Sequence, residues 1–221
     1  SSGGIRVDPD FDDPYAVSPA NKFVRDACIS FIERKLASKP ELIDKMTPKY
    51  PPLASRPIRI DSEDSVFDAL LRDNVTLVSD GIERITPKGV VAGGVEHEVD
   101  AIVYATGFRA NEYLWPMEVR GRDGIRIVEA WAKDGPRGYL GAMVPKFPNL
   151  FMVYGPNSNN FGGFTVVDLL ELVGQFAMRS IAGLIENGQR SVEVSDDAYW
   201  RFADILDDSE RTMVYMDPRA D

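Results

Sequence analysis

The segment Ala101–Tyr104 constrains the fold of this chain more than any other, because it is almost wholly apolar and stops abruptly at Ala105-Thr106-Gly107. A short run without polar alternation is typical of a strand whose two faces are both covered, as in a parallel sheet flanked by helices. Ligands of such sheets bind at the carboxyl ends of strands, where small residues and a threonine hydroxyl let a flat group approach. A strand that simply leaves the sheet through a glycine turn explains the same residues.

A second segment repeats this arrangement later in the chain. Leu150–Tyr154 is predicted to be a buried strand, and it runs into Gly155-Pro156-Asn157 and then into a long helix over 164–186. Free amides at the start of that helix can donate to a polar or electron-rich ligand. An ordinary turn between a strand and a helix accounts for the pattern equally well.

The remaining pattern predicts helices, short strands and one hairpin, and therefore an α/β fold. A helix is predicted from Ser18-Pro19, where a capping residue precedes proline, to about Leu36. Its apolar stripe is expected to contain Phe23, Val24, Ala27, Cys28, Phe31 and Ile32. A Gly93-Gly94 pair between two strand-like runs predicts a hairpin. Further helices are expected over 40–46, 62–72 and 196–215, and further strands over 75–78 and 82–86.

Composition excludes several classes of protein. The net charge of −10 at pH 7 disfavours nucleic acid and anionic membrane surfaces as partners, because like charges repel. The single cysteine, Cys28, excludes an intramolecular disulfide, and its apolar surroundings predict a buried, inert thiol. One histidine, His97, and one cysteine cannot build a usual zinc site, so no metal is expected. The chain lacks a run long enough to span a membrane and a signal-like start, which favours a cytoplasmic protein.

Taken together, the runs Asp100–Phe108 and Phe147–Asn157 resemble the flavin-containing and Baeyer–Villiger monooxygenases, of the cyclohexanone and 4-hydroxyacetophenone monooxygenase kind. In that family a strand ending Ala-Thr-Gly-Phe closes the NADPH-binding domain, and Phe-Pro-Asn-Leu-Phe followed by Gly-Pro-Asn lies near the flavin ring. Other segments fit the Baeyer–Villiger branch: Gly121-Arg122-Asp123-Gly124, Trp131-Ala132-Lys133-Asp134-Gly135 and Tyr139-Leu140-Gly141. The resemblance covers nearly all of residues 20–190.

The resemblance implies the C-terminal part of an FAD- and NADPH-dependent enzyme that inserts oxygen into a ketone or oxidises a heteroatom. It also implies a partial two-dinucleotide-binding flavoprotein fold, Rossmann-like and with a helical insertion. The expected domains are an irregular segment over 1–18, the insertion with the later part of the NADPH-binding domain over 19–108, and the C-terminal part of the FAD-binding domain over 109–221. The expected partners are a small-molecule ketone and molecular oxygen.

The resemblance assigns roles to individual residues. Arg56 takes the catalytic place, where a guanidinium that stays charged at any working pH stabilises a negatively charged ketone adduct. Cofactor contacts fall to Thr106, Gly107, Gly155, Pro156, Asn157 and, on the long helix, Phe176, which is also explained as plain helix core. Ser55 departs from the family pattern, which has a lysine there for the 2′-phosphate of NADPH. This departure weakens the expectation of NADPH over NADH.

The glycine fingerprints that hold dinucleotides, Gly-x-Gly-x-x-Gly, do not occur in the chain. An α/β chain that binds a dinucleotide normally carries one at its first strand–helix turn. We therefore expect the chain alone to hold no flavin tightly and to be inactive. A second hypothesis is a stand-alone, non-catalytic α/β domain derived from a flavoprotein scaffold. A disulfide-reductase-like flavoprotein needs a redox pair of cysteines, which Cys28 alone does not supply.

Overall fold

A computed structural model describes residues 5–55, 60, 63–158 and 166–220 of the chain. The chain divides into two compact units, one formed by Ser1–Ala105 with Ser209–Asp221 and the other by Thr106–Asp208. The end of the chain thus belongs to the same unit as its beginning. The assignment of either part to a cofactor domain stays a prediction.

Helix α1, Pro19–Lys35, begins where the sequence predicts. The hydroxyl of Ser18 accepts a hydrogen bond from the backbone N–H of Asn21 at 3.2 Å, which satisfies one of the donors that a helix start leaves free. A 3₁₀ turn, Pro40–Leu42, and the short helix α2, Ile43–Met46, then occupy the range predicted as one helix.

One core of the first unit lies between α1 and helix α3, Val66–Leu70. Ile32 and Leu36 are buried against Phe67. The helix predicted over 62–72 is therefore shorter, with five residues, and Val66, expected to point inward, is exposed. Residues 61–62 lie outside the described part of the chain.

An ion pair joins these two helices beside the core. Lys35 Nζ donates to Asp68 Oδ1 at 2.6 Å. This hydrogen bond, followed by that from the Ser65 hydroxyl, holds the pKa of the Asp68 carboxyl well below its usual range. The carboxylate therefore stays ionised, and the contact stays intact, as the pH falls through the ordinary range of aspartate.

The first unit contains a three-stranded antiparallel sheet. Its strands are β1, Ile82–Ile85, β2, Gly89–Ala92, and β3, Val95–Glu98, in the order β1-β2-β3. The hairpin predicted at Gly93-Gly94 joins β2 to β3 and is confirmed. Val91 and Ala92 of the central strand are buried, whereas all four side chains of β1 are exposed.

A second core of the first unit is closed by a buried asparagine. Val17, Ala54 and Val214 are buried together. Asn21, which is fully buried, accepts a hydrogen bond on Oδ1 from the Val17 N–H at 3.2 Å and donates from Nδ2 to the Pro52 carbonyl at 2.9 Å. One side chain thus ties the start of α1 to two loops.

Two strands predicted in the first unit, over 75–78 and 101–104, are not formed by its described residues. The prediction that 101–104 is covered on both faces is wrong for this chain, because Val103 is 88% exposed and Tyr104 is 71% exposed. The physical reason is that a strand needs ladder partners on its flanks. Within the part of the chain that the structure describes, no strand pairs with these residues.

The second unit is built from helices and turns. Helix α4 spans Ile127–Ala130, α5 spans Val166–Glu186 and α6 spans Asp196–Glu210. Two buried clusters form its interior. The first contains Ile127, Trp131, Val144, Phe147 and Met152, and the second contains Ala142, Met143, Val173, Val194 and Tyr199.

Three predictions for the C-terminal half need correction. Residues 150–154 form no strand, although Met152 is buried, because no other described segment pairs with them. The helix predicted over 196–215 ends at Glu210 and is followed by a separate 3₁₀ turn, Val214–Met216. On α5, Val173 is buried as expected, but Val167 is 69% exposed.

The predicted burial of Cys28 is also wrong, because its side chain is exposed. Phe23, which lies on the same predicted stripe of α1, is 75% exposed. Periodicity shows which residues share a helix face, but not how much of that face has a neighbour. Here the buried apolar contacts of α1 are made by Ile32 and by the adjoining Leu36.

No helix among the described residues is both long enough and apolar enough to cross a membrane.

The fold makes Asn21 a testable support of the first unit. We expect Asn21→Ala to lower the free energy of unfolding by about 2–4 kcal/mol, because the Val17 N–H and the Pro52 carbonyl both lose their buried partner. Ser18→Ala, which removes only the helix cap, should cost about 1 kcal/mol. Denaturant unfolding measures both, and equal costs for the two variants would contradict the role given to Asn21.

Candidate functional site

Arg56, the predicted catalytic residue, lies outside the described residues, and its neighbour Ser55 is exposed. Thr106 and Gly107 are exposed, in a segment without regular structure. Among the described residues, apart from Gly107 and its two chain neighbours, no atom lies within 4 Å of the position that a Cβ of Gly107 would take. Both residues therefore present an open surface rather than a lined pocket.

In the turn Gly155–Ser158, the polar side chain of Asn157 is exposed while its neighbours are buried. Gly155, Pro156 and Ser158 are buried, whereas Asn157 is exposed. Asn157 has a φ of +63°, a left-handed conformation that asparagine tolerates better than most residues. The turn is closed by a hydrogen bond from the Ser158 N–H to the Gly155 carbonyl at 3.3 Å.

A neighbouring turn, Gly138–Gly141, packs directly against this one. A Cβ at Gly141 would overlap the Ser158 hydroxyl, and a Cβ at Gly155 would overlap the Gly141 carbonyl oxygen. The Met152 N–H donates to the Ala142 carbonyl at 2.9 Å beside the contact. The two turns therefore meet backbone to backbone, which glycine alone permits.

Buried polar atoms lie on both sides of this contact. The hydroxyl oxygen of Ser158 is buried and has no hydrogen-bond partner among the described residues. Arg137 Nε is likewise buried and without a partner there, although its Nη1 donates to Asp207 of α6 at 2.7 Å. That hydrogen bond raises the pKa of the guanidinium above its usual value, against the opposing effect of burial. Arg137 is therefore a fixed cation.

A shallow depression next to Asn157 is lined by Arg137 and Tyr199, among other residues. Burial raises the pKa of the Tyr199 phenol, so it stays protonated at neutral pH. The depression combines a cation and an exposed amide within one unit. The Trp131 indole N–H donates to the Arg137 carbonyl at 2.8 Å and so fixes the backbone beneath it.

Phe176 lies within the second cluster of the second unit. Its ring meets Phe151 edge-to-face, with 6.0 Å between centroids, and it packs against the residues buried with Val173. Such an arrangement is typical of helix core. The cofactor contact assigned to Phe176 stays a prediction.

Sequence reasoning missed Gly141, Ser158 and Arg137 as parts of the site. In the sequence, Tyr139-Leu140-Gly141 indicates only the family resemblance, because its contact with Gly155 joins residues that are not adjacent in the chain. A usable signal is the pair Gly138 and Gly141, spaced as a tight turn, immediately before the buried run 142–145. That spacing predicts close backbone packing but does not identify the partner.

The exposed groups fit contacts along one edge of a flavin. The Asn157 carboxamide both donates and accepts hydrogen bonds, which suits the carbonyl and N–H groups on the polar edge of the ring. The Thr106 hydroxyl and the open space above Gly107 suit the approach of a flat group. The described residues do not enclose such a ring. They also bring together no group of side chains that could hold a metal ion.

Comparison with known proteins identifies relatives of this chain. No model of a protein family matches it. An uncharacterized monooxygenase of Sinorhizobium fredii is 30% identical over 213 residues, which are 96% of this chain and 32% of that protein. A Baeyer–Villiger monooxygenase of Pseudooceanicola batsensis is 36% identical over 190 residues, 80% of this chain and 33% of that protein.

A solved structure has the same fold over most of the chain. The complex of the enzyme OTEMO with FAD and NADP matches 89% of this chain and 36% of its own, with a TM-score of 0.77 and 30% sequence identity. The chain spans about one third of the length of the curated relatives it matches. It is therefore similar to one part of larger enzymes.

The unpartnered Ser158 hydroxyl gives a prediction about stability. We expect Ser158→Ala to leave the free energy of unfolding unchanged or to raise it by up to about 1 kcal/mol, because it removes a buried polar atom that forms no bond. As a control, Ser195→Ala removes the hydroxyl that accepts from the Ala198 N–H at the start of α6, and it should cost about 1 kcal/mol. A loss for Ser158→Ala as large as for the control would show that this hydroxyl has a partner.

Proposed function

The chain is a relative of the Baeyer–Villiger monooxygenases, and on that premise we propose that it is the C-terminal part of an FAD- and NADPH-dependent enzyme that inserts oxygen into a ketone. The observation that carries this proposal is the extent of the match. The similarity to a Baeyer–Villiger monooxygenase extends over 80% of the chain and takes in both the Asp100–Phe108 run and the Phe147–Asn157 run. Oxidation of a soft heteroatom is the second reaction that such a site supports.

The proposed parent has a two-dinucleotide-binding fold, of which this chain carries only a part. Residues 19–108 correspond to the helical insertion and the later NADPH-binding domain, and residues 109–221 to the end of the FAD-binding domain. The glycine fingerprints would then lie in the two thirds of the relatives' length that this chain does not span. If the chain carries only part of this fold, the strands that would pair with the apolar segment over 101–104 lie in the other part. This is consistent with the segment having no strand partner among the described residues.

In the parent, the cofactor contacts of this chain come from exposed groups. Asn157 would bind the polar edge of the flavin through its carboxamide, and Thr106 through its hydroxyl, while Gly107 leaves room for the ring. Gly155 and Pro156 form the buried base beneath Asn157. The bound FAD, reduced by NADPH, supplies the activation of molecular oxygen. Phe176 would border the nicotinamide side from α5.

Arg56 is the proposed catalytic residue. A guanidinium near the ketone carbonyl keeps its charge at any working pH and stabilises the negative charge that develops on the carbonyl oxygen. Oxygen insertion next to that carbonyl converts a linear ketone into an ester and a cyclic one into a lactone. With Ser55 in place of the family's lysine, another basic group would have to bind the 2′-phosphate of NADPH.

The proposal is tested with the full-length parent. We expect the purified parent to carry bound FAD and to convert a simple cyclic ketone into its lactone with NADPH and oxygen. The 221-residue chain alone should bind added FAD with a dissociation constant weaker than about micromolar. A parent without flavin would refute the enzyme and favour the stand-alone, non-catalytic domain, and a tight yellow complex of the chain alone would refute the partial site.

Arg56 has a separate test in the same parent. Arg56→Ala should leave FAD bound and NADPH oxidation measurable, but lower lactone formation by about 10²–10³-fold, because the developing charge loses its fixed cation. Arg84→Ala, which removes an exposed arginine of β1, is the matched control and should have no effect. Lactone formation by Arg56→Ala within a few-fold of the unaltered parent would remove Arg56 from the mechanism.

A further inference from the structure

The contact between the turns Gly138–Gly141 and Gly155–Ser158 depends on Gly141 as well as on Gly155. Gly141 has a φ of +68°, and a Cβ there would overlap the Ser158 hydroxyl. The next nearest atoms, the Pro156 carbonyl oxygen and Ser158 Cβ, are each 3.4 Å away, which is an ordinary contact distance. Beyond the backbone strain of a positive φ, a side chain at position 141 therefore clashes with a single oxygen atom.

The Gly138–Gly141 turn is held by contacts on the side away from the Gly155–Ser158 turn. A clash at Gly141 is therefore expected to displace the Gly155–Ser158 turn. Arg137 directly before it pairs with Asp207 of α6 at 2.7 Å. The Tyr139 ring meets Phe202 of α6 edge-to-face, with 5.5 Å between centroids. The Tyr139 N–H also donates to the Met143 carbonyl at 2.8 Å. Displacement is thus expected in the turn that contains Asn157.

We propose that Gly141 is a positioning residue for Asn157: by lacking a side chain, it lets the two turns lie in contact and so holds the Asn157 carboxamide in place. Asn157 is exposed between buried neighbours, so its position follows that of the turn. Gly141 itself touches no ligand. The inference rests on the proposed function only in taking the flavin as the ligand of Asn157.

Three variants of the 221-residue chain separate a clash from backbone strain. Gly141→Ala introduces both. Gly124→Ala, in the same unit, introduces the strain alone, because Gly124 has a φ of +77° and no described residue beyond its chain neighbours has an atom within 4 Å of its Cβ position. The double variant Gly141→Ala/Ser158→Ala restores the space, because only the hydroxyl oxygen overlaps the new methyl group. Each variant is compared with the unaltered chain.

The first measurement is amide hydrogen exchange of Ser158 and Met152. The Ser158 N–H closes the Gly155–Ser158 turn, and the Met152 N–H bonds to Ala142 beside the contact. We expect exchange to be about tenfold faster in Gly141→Ala, unchanged in Gly124→Ala and restored in the double variant. Equal exchange in Gly141→Ala and Gly124→Ala would overturn the proposal. If Gly141→Ala does not fold, the double variant decides, and its failure to recover the fold would also overturn it.

The second measurement is the dissociation constant of FAD in the full-length parent. Gly141→Ala should weaken it by about tenfold or more, and Ser158→Ala in addition should restore it, whereas Gly124→Ala should not change it. Unaltered affinity in a Gly141→Ala parent that shows the faster exchange would overturn the positioning role. A parent that binds no FAD in any variant would instead refute the proposed function, and the exchange result would then stand by itself.

Discussion

Backbone hydrogen bonds that only neighbouring strands can supply determine which parts of this chain are regular. The segments over 101–104 and 150–154 have the composition of buried strands, yet the described residues contain no partner for either. The first is exposed and irregular, whereas the second is held by turns around Met152. A sheet of three short strands, β1 to β3, forms because its partners follow one another along the chain.

This difference explains what could be predicted from the sequence. The start of α1 at Ser18-Pro19 and the hairpin at Gly93-Gly94 are encoded by residues next to each other, and both are confirmed. The strand at 101–104 and the burial of Cys28 depend on a neighbour from elsewhere, and both predictions are wrong for this chain. The same holds for the candidate site, because motifs predict Asn157 as a site residue, but only the fold brings Gly141 against Pro156 and Ser158 on either side of it.

Where strands are few, polar side chains bond to the backbone of the loops. In the first unit, Asn21 bonds to Val17 and Pro52, and Arg219 donates to the carbonyls of Asp13 and Ala16, each at 3.0 Å. In the second unit, Asn149 accepts from the Val192 N–H and donates to the Arg190 carbonyl. Each side chain forms hydrogen bonds with backbone groups of separate segments, as neighbouring strands do in a sheet.

The exposed apolar run around residue 103 has a consequence for the chain in concentrated solution. Val103, Tyr104 and Phe108, the last 98% exposed, lie in a segment that pairs with no strand of the described part of the chain. Such a segment is a template on which the same segment of another molecule can add as a strand. We therefore expect the purified chain to self-associate at high concentration despite its net charge. An apolar partner that covers this segment would prevent the association.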